Sequence, residues 1–352
     1  MSIGAAALVY VVITALLFRN LLPDLDTHLY SDLGDPLLNT AILAWNAREI
    51  PLTEAWWNFP AYGPYSGVTA FTEHLLLFYP ITTPVIWLTG SPVLAYNVVY
   101  LLALPLNGLA AYALARELTG STLVAFIGGL AFAFAPYQSV HLSHIQAMTA
   151  FGMPLGLLGL HRYLTTGRRR GLALFACGGL ITASSNAYAL LFFPIVAVLW
   201  CVWLTGPREW RRLLVVALTA VIALLPLVPL LRGYHVRQAA YRLERQYIET
   251  TLFAADMTGL GRISHRAALW RGVLPVTYEE GALFPGLTIA GLAIIALVGR
   301  GFMPRQGGPQ GAALRLSPWS RRLILAAAAI LAIVFLRVWW GPWGWHIGPI
   351  PL

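Results

Sequence analysis

Long apolar runs recur along this chain, separated by short breaks rich in Gly, Pro and Arg. They cover roughly 3–22, 72–89, 93–115, 121–137, 146–165, 171–186, 187–205, 211–231, 283–299 and 323–340. A helix rises 1.5 Å per residue, so about twenty apolar residues cross a hydrocarbon layer of ~30 Å. The pattern predicts an all-α fold: one polytopic transmembrane bundle of about ten segments over residues 1–352. The polar break Ser184-Ser185-Asn186 leaves 171–205 readable as two helices or as one broken helix. The first run carries no basic residue at its front and no small-residue cleavage site after it, so it reads as a retained helix.

Two polar stretches interrupt the pattern. Residues 23–71 carry Asp24, Asp26, Asp32, Asp35, Glu49 and Glu54, with Glu73 just beyond, which puts half of the chain's fourteen acids within fifty residues. Within 31-SDLGDPLLNTAILAWN-46, Asp35 has the chemistry of a helix N-cap, and Pro36 suits the first turn. Leu37, Leu38, Ala41, Ile42 and Trp45 then form an apolar stripe, which predicts a short interfacial helix with Trp45 at headgroup depth. The second stretch, 232–282, holds seven arginines, and its opening part, Val236–Phe253, has the spacing of a helix lying on a membrane surface.

Composition fixes the class. Of 352 residues, 58% are hydrophobic and 11% charged, and the mean hydropathy is +0.69; soluble domains carry about 25% charged residues. The net charge of +9 comes from Arg alone, because the chain contains no Lys, which removes Schiff-base chemistry. The arginines gather in short loops such as Gly167–Gly171 (GRRRG), Pro207–Arg212 (PREWRR) and 300–322, which read as cytoplasmic anchors facing lipid headgroups. They are too scattered to form a nucleic-acid surface. Cys177 and Cys201 lie in apolar runs and support neither a disulfide framework nor a metal site. With GRRRG inside, the crossing count places 138–145 and 232–282 outside but 23–71 inside, opposite the second polar stretch.

Four groups of residues can carry chemistry. Asp32 precedes the Asp35 cap, with Gly34 between them allowing a tight turn, and a carboxylate there can take a proton from an acceptor hydroxyl. Asp35 reads equally as a cap with no catalytic part. Glu73 and His74 stand at the mouth of an apolar run, where ionisable side chains also serve as interfacial anchors. His141 and His144 are three apart in the turn 136-PYQSVHLSH-144 and suit a metal or a phosphate, although the turn offers no third ligand, so a divalent metal is permitted but not required. Arg237, Arg242 and Arg245 can hold the phosphate of a lipid-linked substrate or simply face headgroups. No Walker loop, GxGxxG after a strand, CxxC, HExxH or GxSxG is present, and intramembrane charges are sparse, which weakens ATP-driven and ion-coupled transport.

The order of these features resembles the GT-C class of membrane glycosyltransferases, and more closely its uncharacterised bacterial branch. The resemblance rests on SDLGDPLLNTAILAWN (31–46), TEHLLLFYPITTPV (72–85), AYNVVYLLALPLNGLAAYALARELTGS (95–121), AFAPYQSVHLSHIQ (133–146), ASSNAYALLF (183–192) and EGALFPGL (280–287). It implies inverting transfer of a sugar from a polyprenyl-phosphate donor at the outer face of the bacterial inner membrane. It further implies that the catalytic carboxylate is Asp32 or Asp35, and that the first polar stretch and the HLSH turn share a side, against the raw count. The class continues with further helices, so the resemblance implies that GWHIGPIPL ends short of a full-length protein. The rival readings are a lipid-linked saccharide flippase, which needs polar residues along a path through the membrane, and a non-catalytic subunit of envelope polysaccharide assembly.

Overall fold

The computed structural model describes residues 2–242, 246–252, 254–299, 346–347 and 350–351. The described residues are helical, apart from loops and a two-residue pairing of His346–Ile347 with Ile350–Pro351. The helices are α1 (Ile3–Leu17), α2 (Asp35–Arg48), α3 (Glu54–Trp57), α4 (Tyr79–Thr89), α5 (Pro92–Thr119), α6 (Thr122–Ala133) and α7 (Ile145–Met148). They continue with α8 (Gly152–Thr166), α9 (Arg170–Ser185), α10 (Ala187–Leu204), α11 (Trp210–Leu224), α12 (Val228–Tyr241), α13 (Tyr247–Leu252) and α14 (Leu287–Gly299).

Among the described residues, four helical stretches are long and apolar enough to span a membrane: Pro92–Thr119, Thr122–His141, Ala187–Leu204 and Trp210–Tyr241. The sequence offers ten apolar segments, but several become helices of fewer than 18 residues, and 323–340 lies outside the described residues. Leu191, Ile195, Leu199, Leu218 and Val221 point outward from α10 and α11, as faces solvated by hydrocarbon do.

Local chemistry marks where each helix starts and stops. Ser91 accepts a hydrogen bond from the Leu94 amide (3.1 Å) ahead of Pro92, and α5 ends at Gly120 in the left-handed conformation (φ +68°). Asn186 resolves the question over 171–205: its backbone is extended and its side chain caps the Ala189 amide (2.6 Å), so α9 and α10 are two helices.

Glycine sets how closely the helices pack. A Cβ on Gly178 of α9 would lie 2.3 Å from the Gly156 nitrogen of α8, and one on Gly159 would lie 2.3 Å from the Phe175 nitrogen. The two backbones therefore pack in direct antiparallel contact, as small residues permit between membrane helices. On the other flank, Tyr10 of α1 fits the slot left by Gly108 and Gly129 and donates to the Phe126 carbonyl (3.0 Å).

Segment 72–89 is where the crossing count went astray. Residues 72–78 are not helical, and α4 has 11 residues, so it reaches only about 16 Å at 1.5 Å per residue. It turns back at Gly90 rather than crossing, and packs on α2 and α5. Without that crossing, 23–71 falls at the same end of the bundle as 136–145 and the second polar stretch. GRRRG and PREWRR gather at the opposite end, where Arg212 donates to the Leu164 carbonyl (3.4 Å).

Two further expectations are corrected. The buried face of α2 is not its apolar stripe alone: Asn39 and Asn46 point in beside Ile42, while Leu37 and Ala41 are exposed. Polar partners explain this, because Asn46 donates to the His74 carbonyl (2.9 Å) and accepts from the Trp56 indole (2.6 Å). The surface helix expected over Val236–Phe253 is in part the end of a spanning stretch. Helix α12 continues to Tyr241 and stops at Arg242 (φ +49°), and α13 follows separately, with Phe253 outside the described residues.

Candidate active site

Three loops meet at one end of the bundle, each brought there by a different anchor. The first is the 31–35 turn. Asp32 Oδ1 accepts from the Gly34 amide (2.8 Å), and its Oδ2 accepts from Ser31 (3.1 Å) and from the Ser143 hydroxyl. The hydroxyls of Ser31 and Ser143 lie 2.6 Å apart. Ser31 sits at φ +85°, a conformation side-chain-bearing residues rarely adopt and one often found beside functional groups. The Ser143 hydrogen bond, followed by that from Gly34, holds the Asp32 carboxyl below its ordinary pKa, so it stays ionised at neutral pH.

Asp35 opens α2 but does not cap it. Gly34 occupies the N-cap position and makes no side-chain hydrogen bond. The Asp35 carboxylate instead accepts from His144 Nε2 (2.8 Å), a pairing between the first loop and the turn. Asp32 and Asp35 are each about half exposed (50% and 47%), so both carboxylates face the outside of the bundle end.

The second anchor holds the HLSH turn. Its chain makes a 3-10 turn over Pro136–His141 and then the four-residue helix α7, an irregular path whose backbone groups need partners. Asn107, wholly buried on α5, donates to the Met148 carbonyl (2.8 Å) and accepts from the Ala150 amide (2.9 Å). Ser185 and Asn186 both donate to the Gln146 carbonyl (2.6 and 2.9 Å). The Ser185-Asn186 break between α9 and α10 therefore does structural work for the turn.

The third anchor is the 257–284 loop. The Ile263 amide donates to the Pro275 carbonyl (3.1 Å), the Leu283 amide to that of Gly259 (2.8 Å), and Ile263, Ala282 and Phe284 are buried beside Pro136 and Val140. This packing brings Arg266 Nη2 to 3.8 Å from Asp32 Oδ2.

Glu73 lies in the same cluster, hydrogen-bonded to Gln146, with burial first and the Asp35 charge second raising its carboxyl pKa. His74 does not face outward. It is 7% exposed, its Nδ1 accepts from the Leu76 amide (3.1 Å), and burial lowers its pKa to about 4, so it is a neutral part of the wall. His141 packs edge-on against Tyr137 (4.7 Å) and His144 (6.3 Å).

Of the arginines expected to hold phosphate, Arg237 and Arg242 lie on α12 and at its end. Arg237 pairs with Glu54 (2.7 Å) and lies over the Trp57 ring (4.4 Å), tying α12 to the first loop. Tyr234 donates to the Thr72 carbonyl (2.8 Å) and Tyr241 to that of Ser66 (3.0 Å), completing that seam. Arg242 is exposed at the end of α12, and Arg245 lies outside the described residues.

The arginine at the cluster is Arg266, one of seven in its loop, and nothing local in the sequence distinguishes it. Ser143 had a visible signal, since it stands between two histidines in the HLSH turn. Gln146 had none. Among the described residues, no group of three or more His, Cys, Asp or Glu side chains is placed to hold a metal ion. The site thus presents an ionised carboxylate, a carboxylate–imidazole pair, a raised-pKa carboxyl and one guanidinium at the rim of an apolar bundle. No family model, curated protein or solved structure matches the chain.

Proposed function

We propose that this chain is a multi-pass membrane glycosyltransferase of the GT-C class, moving a sugar from a polyprenyl-phosphate donor to an acceptor hydroxyl at the outer face of a bacterial cell membrane. The observation that carries this reading is the meeting of Asp32, Ser143 and Arg266 from three loops at one bundle end. A polyprenyl-phosphate keeps its tail in lipid and its phosphosugar at the interface, so the reacting groups must be pinned at that depth. An apolar cavity of about 440 Å³ between α9, α10 and α11, lined by small residues such as Gly179, Ala197 and Ala220, offers room for a prenyl chain.

In the proposed step the acceptor oxygen attacks the anomeric carbon from the face opposite the phosphate. The C–O bond to phosphate breaks, and polyprenyl phosphate leaves with the electron pair. Asp32, with Arg266 3.8 Å away, takes the acceptor proton. Asp35 keeps the His144 ring oriented beside them.

The direct test is turnover of a labelled polyprenyl-phosphate hexose by membranes containing the protein. Transfer above that of membranes lacking it is expected; equal turnover sinks the reading. Sidedness gives a second test. With Cys177 and Cys201 replaced, Ser66→Cys and Leu269→Cys are expected to react with an impermeant thiol reagent in intact cells, and Arg168→Cys only after permeabilisation. Labelling of Ser66→Cys and Leu269→Cys from opposite sides would break the shared site.

A further inference from the structure

Helices α10 and α11 each pack on α9 but make little contact with each other. The apolar cavity of about 440 Å³ lies between them. Its lining runs about 18 Å along α10, from Ala189 to Cys201, and ends at Gly206. Val198 and Ala217 line it and are exposed, so it opens on the side that faces hydrocarbon. A groove of this kind takes a lipid chain, because an empty one forfeits the dispersion contacts of its walls.

The two ends of the groove differ. Towards the carboxylate end, Ala183, Leu190 and Leu224 line it and also pack into the core around Trp56 and Trp57. The other end is cationic. There Gly206 and Leu213 line the groove, and the loop between them is pinned. The Glu209 amide donates to the Gly206 carbonyl (3.0 Å), and Arg212 donates to the Glu209 carboxylate (2.8 Å). Trp210 continues the groove-lining stripe of Leu213, Ala217 and Ala220 back by one turn, and it is exposed. The Arg211 guanidinium lies 5.5 Å from the centre of its ring. Arg208 and Arg211 are both exposed, and among the described residues neither has an acidic partner.

We propose that this groove holds one acyl chain of an anionic phospholipid from the leaflet at the GRRRG and PREWRR end, with its phosphate at Arg208 and Arg211. Basic pockets beside spanning helices take anionic headgroups in this way, and Trp210 has the chemistry of a headgroup-level residue. The proposal does not rest on the glycosyl-transfer reading. A donor's prenyl tail fits the same room, and the cationic end is what favours the phospholipid.

The test uses the full chain, purified in detergent and stripped of lipid. It is offered equal amounts of dioleoyl phosphatidylglycerol and dioleoyl phosphatidylcholine, and retained lipid is read by native mass spectrometry. A basic residue near an anionic surface is worth about fivefold in affinity, so two arginines should favour phosphatidylglycerol about 25-fold. Arg208→Gln combined with Arg211→Gln should retain the two lipids alike. Gly179→Leu fills the groove floor, where a Cβ meets only the Phe193 ring at 3.7 Å, and should abolish retention of both. Equal retention by the wild type, an unchanged preference in the arginine pair, or undiminished retention in a folded Gly179→Leu would each overturn the proposal. So would farnesyl phosphate that is held equally by wild type and the arginine pair but lost in Gly179→Leu, which would give the groove to a prenyl tail. Should Gly179→Leu fail to fold, the exposed arginine pair decides alone. Retention is read without turnover, so its failure leaves the glycosyl-transfer reading where it stands.

Discussion

Asp32→Asn is expected to lower glycosyl transfer by about 10²–10⁴-fold, the contribution of a positioned general base. The substitution keeps the shape of the side chain and an oxygen for the Gly34 amide, and the carboxylate it replaces is half exposed, so expression and melting temperature should stay near wild type. Rates in purified membranes, normalised to folded protein, decide the matter. Full activity in Asp32→Asn together with loss in Asp35→Asn would move the base to Asp35. Full activity in both would remove catalysis from this loop.

The pH profile refines the same prediction. Asp32 must be ionised to accept a proton, and the Ser143 hydrogen bond holds its pKa below the ordinary carboxylate value of 3.8. Ser143→Ala withdraws that hydrogen bond, so the pKa rises and the acid limb of the rate profile should move to higher pH. An unmoved acid limb would mean that some other group governs it.

The second large effect is expected far from the carboxylates. Asn107→Ala strips two hydrogen bonds from the junction of α7 and α8, leaving the Met148 carbonyl and the Ala150 amide without that partner at a wholly buried position. Each buried group left unpaired costs about 1–3 kcal/mol, so the turn should be destabilised by several kcal/mol. Ser143 and His144 ride on that turn, so transfer should fall along with the melting temperature. A thermal melt beside the transfer assay checks both; an unchanged melt would mean that Ser185 and Asn186 suffice to hold α7.

The sequence by itself determined that the chain is helical and apolar. Long apolar runs and the polar breaks between them are local signals, read from residues close together in the chain. The clustering of acids in 23–73 and the HLSH turn were legible for the same reason: residue type and spacing are written in the chain.

Tertiary structure alone decided the rest. Segment 72–89 is apolar enough to suggest a crossing, and only its docking on α2 and α5 shows a short helix turning back. Asn39 and Asn46 point inward because their partners, Gln146 and the pair His74 and Trp56, lie elsewhere in the chain. Arg237 joins Glu54 across 183 positions and Ser143 reaches Asp32 across 111, so spacing cannot rank one loop arginine or serine over another. Periodicity reports the geometry of a single backbone; which charges meet is set by how separate helices pack, and that packing rests on close contacts such as Gly156 against Gly178.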